Sequence, residues 1–146
     1  MTPYITSVQA DEYIAALIPS NDPEHVAWAS LEATDKDIFI SRAMLRIESL
    51  PFTGTAAVSF QETAFPRWGQ TGVPDAVKKA VALEAAAIAA YGAEAEQRER
   101  IQSQGVTAFS VGNLSESYVR RGRAALLSPA ASYLLAPFRA GGAPCV

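Results

Sequence analysis

Apolar residues recur at helical spacing along most of the chain and lose that period in one long central stretch and again near residue 105. Ala10, Tyr13, Ile14 and Leu17 lie on one stripe, which predicts a first helix over about 7–17. Thr6-Ser7-Val8-Gln9 fits a capping box at its start, where a hydroxyl and a side-chain amide satisfy orphan backbone donors. Pro19 and Asn21-Asp22-Pro23 end it. Asp22 as cap with Pro23 in the first helical position predicts a short second helix to about residue 31, anchored by Trp28 and Leu31. Thr34 can cap a third over 35–49, with Ile40, Ala43, Met44 and Ile47 as its core face.

Residues 50–73 break the pattern, because Gly54, Pro66, Gly69 and Gly72 interrupt any helical period. A structureless loop of that length is unusual in a compact domain and marks a functional or partner-covered segment. Pro74 then opens the strongest helix, with Asp75 at its positive end and a run to about Arg98 or beyond. Its alanines make it small-sided nearly all round, a property of helices buried on more than one side. Glu84 interrupts this apolar run. Burial of a lone carboxylate costs several kcal/mol, so an arginine should meet it, with Arg67, Arg42 and Arg46 as candidates and Arg67 first among them. A general acid or base is the other reading of Glu84, but no second carboxylate or His accompanies it at helical spacing.

Val111-Gly112-Asn113-Leu114 suits a type II′ turn and predicts a β-hairpin over 106–119 in which Phe109 faces Glu116 and Thr107 faces Tyr118. Ser128-Pro129 caps a last short helix with Ala131, Leu134, Leu135 and Phe138 facing inward, and 139–146 has the composition of a tail. The expected fold is mainly α: a small bundle of four to five helices with one β-hairpin in a single domain over 1–138, followed by an extended C-terminal tail.

Composition narrows the chemistry. The chain has 146 residues, 49% of them hydrophobic, with one His and one Cys. Cys145 has no partner for an intrachain disulfide and His25 alone cannot build a zinc site, so no metal, cofactor or catalytic residue is assigned. No glycine-rich phosphate loop and no nucleophile elbow occurs. No segment resembles a secretory signal or a membrane span, which predicts a soluble, intracellular protein. The net charge of −3 is uneven: residues 1–73 carry nine acids and four bases, whereas 117–146 carry Arg120, Arg121, Arg123 and Arg139 and no acid. A basic end of this kind docks on an acidic partner or on nucleic acid, or is simply solvated. Phe65-Pro66-Arg67-Trp68 mixes aromatics with a cation as single-strand-binding surfaces do, and equally suits a loop anchored by its aromatics.

Several short elements follow one another in a recognisable order. They are Tyr4-Ile5-Thr6 with Ala10, Asp11 and Tyr13; Ala43 and Ile47; Leu50-Pro51-Phe52 and Gly54; Gln61 and Ala64-Phe65-Pro66-Arg67; Val73-Pro74 with Val77, Ala80, Leu83 and Glu84; Val111-Gly112 with Ser115 and Tyr118; and Leu134-Leu135 with Pro137. In that order, over nearly the whole chain, they resemble the head-tail connector (adaptor, head-completion) proteins of tailed bacteriophages. The resemblance implies a structural virion protein, made in the host cytoplasm, with no enzymatic activity. It would self-associate as a homo-oligomeric ring, usually dodecameric, between the portal protein and a tail or stopper/nozzle protein. Genomic DNA would pass through without specific binding, with the acidic helices or loops facing the channel and the C-terminal arginines facing protein. No membrane is involved. The resemblance also implies that the tail, Phe138, Arg139, Ala140, Gly141, Gly142, Ala143, Pro144, Cys145 and Val146, docks on the portal or a neighbour, with Arg139 as charged anchor. The loop residues Phe52, Phe65, Pro66, Arg67 and Trp68 would form a subunit or tail interface. The arginines of 120–123 and the Gly-Gly-Ala-Pro-Cys end depart from that pattern. Some similar sequences carry a label likening them to a primosomal protein, so a small oligomeric single-stranded-DNA-binding protein of DnaT-like type is the second reading.

Overall fold

A computed structural model describes residues 2–103, 108–111, 114–117 and 126–140. The chain is mainly helical: α1 (Ser7–Leu17), α2 (Pro23–Ala29), α3 (Ala33–Glu48), α4 (Asp75–Ser103) and α5 (Pro129–Leu135), with a 3₁₀ turn at Ala136–Phe138. Two short strands, β1 (Ala108–Val111) and β2 (Leu114–Ser117), pair antiparallel with Phe109 opposite Glu116. The connecting residues Gly112 and Asn113, the Thr107–Tyr118 pairing and the arginines of 120–123 lie outside the described residues. No helix among the described residues is long and apolar enough to cross a membrane.

Capping chemistry sets most helix starts. Gln9 N–H donates to Thr6 Oγ1 at 3.3 Å and Thr6 N–H donates to Gln9 Oε1 at 3.0 Å, closing the expected box. Asp22 accepts from Glu24 N–H at 3.0 Å, and Ser128 Oγ accepts from Ala131 N–H at 3.2 Å. The third helix differs from expectation. Thr34 lies inside it; Glu32 stands at the cap with no side-chain bond, because Lys36 N–H already reaches Glu32 O at 2.9 Å and winds the helix from Ala33.

Compactness divides the chain into two units, Met1–Ala90 with Leu126–Val146, and Tyr91–Ala125. The first holds the core. Every residue from 80 to 88 is buried, so two full turns of α4 are covered on all sides, as its small side chains allow. Ile14 of α1, Ile40, Met44 and Ile47 of α3, and Ala131 and Leu135 of α5 share that cluster. On α1, Asp11 gathers two neighbours: Trp28 Nε1 donates to it at 2.7 Å and Lys36 Nζ reaches it at 3.0 Å.

Candidate functional site

The loop over 50–73 is built on a buried ring. Phe65 is 1% exposed and meets Tyr4, Phe52 and Phe138 edge-on, at centroid distances of 6.2, 4.7 and 5.6 Å. Two polar groups grip the backbone beside it. Glu48, at the end of α3, accepts from Ala64 N–H at 2.7 Å, and the Tyr4 hydroxyl donates to Glu48 while accepting from Phe65 N–H at 3.1 Å. Phe65 is thus a core residue and Phe52 is half-buried against it, so both rings of the expected subunit or tail interface are packed on aromatic neighbours within the chain.

Burial pushes the Tyr4 phenol above its ordinary value of 10.0, and the bond to Glu48 pushes it further. With the folded value raised, the stability it contributes is fully present below pH 10 and is lost as pH rises through the folded value. Chemical denaturation at several alkaline pH values should show the parent losing stability above pH 10 relative to Tyr4→Phe; parallel curves would show that Tyr4 is solvated.

Arg67 is not the partner of Glu84. Its Nε donates to Thr53 O at 3.0 Å, Nη1 to Ala64 O at 3.2 Å, and Nη2 to Phe52 O and Gly54 O at 3.3 and 2.6 Å. Four carbonyls of its own loop take this guanidinium, so it works as a staple. The ion pair falls to Arg46, one of the other candidates, whose Nε lies 3.1 Å from Glu84 Oε1. Glu84 is fully buried and also accepts from Leu127 and Ser128 N–H, each at 3.0 Å. Those two donors lie just before α5, so the carboxylate is met by backbone amides as well as by a guanidinium. Burial nevertheless holds the Glu84 carboxyl above the usual range, opposed by the two N–H groups and then by Arg46.

What the stapled loop displays is a pair of aromatics on two tight turns. In the first, Gln61 N–H donates to Val58 O at 3.2 Å while Val58 N–H donates to Gln61 Oε1 at 3.1 Å. The second repeats the device: Gln70 N–H donates to Arg67 O at 3.0 Å and Arg67 N–H to Gln70 Oε1 at 2.8 Å. Gly69, at φ 88°, takes the left-handed third position that a type II turn requires. Each turn leaves one aromatic at its corner, Phe60 at 93% exposure and Trp68 at 78%. The turns are tied together. Gln61 Nε2 donates to Thr63 O and Pro66 O, Ala57 N–H to Pro66 O, and Trp68 N–H to Thr55 O at 2.8 Å. Of the loop residues singled out from sequence, only Trp68 reaches solvent as a large apolar surface. Phe60 was missed, and its signal was an aromatic between Ser59 and Gln61 with no apolar period to recruit it inward.

The C-terminal residues begin as part of this site. Thr53 N–H donates to Phe138 O at 2.8 Å, Ala140 N–H donates to Pro51 O at 3.0 Å, and Arg139 pairs with Phe52 as a β-bridge. Phe138 packs on Phe65, and Arg139 is exposed beside the loop. Gly141, Gly142, Ala143, Pro144, Cys145 and Val146 lie outside the described residues. Elsewhere, a concavity of about 460 Å³ opens among Leu17, Leu83 and Tyr133, with Asp22, Glu24 and Lys79 also in its lining. No group of His, Cys, Asp and Glu among the described residues could hold a metal ion.

Residues 3–145 match the model of a family described as "Putative DnaT-like ssDNA binding protein". No curated protein and no solved structure matches the chain. The family match overturns the head-tail connector resemblance. With it go the portal, tail and stopper partners, the ring in a virion and the passage of DNA without specific binding. Physically, the elements that carried that resemblance are fold determinants: Phe65 is core, Arg67 is a staple and Glu84 holds α5, so their order speaks of packing and not of a partner. The match spans nearly the whole length, and the chain belongs to this DnaT-like family.

Proposed function

We propose that the protein binds single-stranded DNA by stacking unpaired bases on Trp68 and Phe60. The observation that carries this reading is the pair of exposed aromatics on a loop whose backbone is held by side-chain bonds. Every base has a π-face, so an aromatic platform binds single strands with little regard to sequence. Rigid turns matter because a preorganised platform loses less entropy when a base settles on it. The family description supports the same ligand.

Phosphate contacts are a smaller part of this arrangement. Arg67 is consumed by four carbonyls, whereas Arg139 is exposed beside Phe52, and the surrounding first half of the chain is acidic. Stacking therefore leads and charge assists. Trp68→Ala is expected to cost about 1–3 kcal/mol of binding, roughly tenfold or more in affinity for an oligothymidylate, with Phe60→Ala in the same range. Arg139→Ala should lower the slope of log affinity against log salt by about 0.7. Trp28 is buried at 2% exposure, so quenching of tryptophan emission on binding reports Trp68. Unchanged affinity in the Trp68→Ala and Phe60→Ala double variant would rule the platform out.

A further inference from the structure

Residues 126–140 leave the core at one buried point and end at the loop, and nothing in simple helix packing requires both contacts. At the first, Glu84 accepts from Leu127 and Ser128 N–H, and Ser128 Oγ caps the helix that follows. Ala131 and Leu135 of α5 are fully buried. At the far end, Phe138 sets its ring on Phe65 with planes at 87°, Phe138 O accepts from Thr53, and Ala140 N–H reaches Pro51 O. Thr53 is also where Arg67 begins its staple, since Thr53 O accepts from Arg67 Nε at 3.0 Å. Arg67 in turn is the first residue of the turn that displays Trp68.

We infer that residues 126–140 form a strap that positions the aromatic platform, with Glu84 as its lock and Phe138 as its tip, so that both act as positioning residues for single-stranded DNA binding. This rests on the stacking reading above. The strap touches neither Phe60 nor Trp68 through any of these bonds; it holds 51–54, to which the Arg67 turn is fastened. Loss of the Phe138 ring would uncover one side of the Phe65 ring and leave the strap held at 51–53 by its backbone bonds alone, letting the Trp68 turn sample other orientations while the helices stay packed.

The test is binding of the full chain to a fluorescein-labelled oligothymidylate, with acrylamide quenching of Trp68 measured in the same samples. Phe138→Ala should weaken binding about fivefold, a share of the stacking contribution, and alter Trp68 quenching before any DNA is added. Phe138→Leu, which keeps apolar volume but not the flat ring, should fall between it and the parent and guards against misfolding of the smaller variant. Ile14→Val, a core change in α1, controls for general destabilisation and should leave both readouts at the parental value. Parental affinity in Phe138→Ala alongside weakened binding in Trp68→Ala would overturn the strap and leave stacking intact. Equal losses in Ile14→Val and Phe138→Ala would overturn it as well, as a nonspecific effect of stability. Parental affinity in Trp68→Ala would remove the stacking reading itself.

Discussion

Replacing Phe65 with Ala is expected to lower the free energy of unfolding by about 3–5 kcal/mol. That is a large share of the roughly 5–15 kcal/mol that holds an ordinary domain folded. The ring is 1% exposed, and its three aromatic neighbours arrive from the N-terminus, from the start of the loop and from the residues after α5. Each edge-on pair adds about 0.5–1.5 kcal/mol beyond burial. The void could not close easily, because Tyr4 and Phe138 are held by hydrogen bonds to Glu48 and Thr53. Phe65→Leu should cost clearly less, since most of the volume stays. Urea denaturation followed by circular dichroism measures both. A loss under about 1 kcal/mol in Phe65→Ala would mean that the loop is not held by this ring.

Glu84→Ala is expected to cost a comparable amount, about 3–5 kcal/mol, because it strips three groups at once. Arg46 loses the Glu84 carboxylate, and the amides of Leu127 and Ser128 lose their acceptor inside the protein. Glu84→Gln keeps one acceptor oxygen and should cost about 1–3 kcal/mol. The pH dependence separates the charge from the hydrogen bonds. Glu84 is held above the ordinary carboxyl value of 4.5, chiefly by burial. Its proton-linked stability is therefore fully present below pH 4.5 and declines as pH rises through the folded value. The Gln variant lacks that decline, so the stability gap between it and the parent should narrow from acid to neutral pH. A gap that widened with pH would mean that Arg46 and the two amides outweigh burial at this carboxylate. A buried pair can thus be costly to hold ionised and still more costly to break.

Local signals were legible wherever short-range chemistry decides the outcome. The first capping box, Asp22-Pro23 and Ser128-Pro129 set helix starts because the groups involved lie within three residues of one another. The small-sided character of α4 was legible for the same reason, since a helix without bulk is covered wherever neighbours can approach. The partner of Glu84 was not. Arg42, Arg46 and Arg67 all carry the same charge, and only the packing of α3 on α4 brings Arg46 within 3.1 Å while the loop takes Arg67. Phe65 and Trp68 stand three residues apart in one aromatic cluster, yet one is core and the other is solvent-facing. Composition cannot separate them. The Tyr4 and Glu48 grip on residues 64 and 65 turns Phe65 inward, and the Gln70 turn leaves Trp68 at a corner.

By itself, then, the sequence determined a mainly helical chain, the starts of most helices, a long loop rich in aromatics, and the absence of the usual phosphate-loop, zinc and nucleophile motifs. The tertiary structure alone decided which loop residues are buried and which face solvent. It packed Tyr4, Phe52 and Phe138 around a buried Phe65, left Phe60 and Trp68 exposed, set Arg67 on carbonyls, and brought residues 138–140 beside 51–53. The physical reason is separation along the chain. Helix caps and turns are set by neighbours, whereas a solvent-facing platform depends on which distant groups satisfy each backbone amide and cover each ring, and that is known only once the chain has folded.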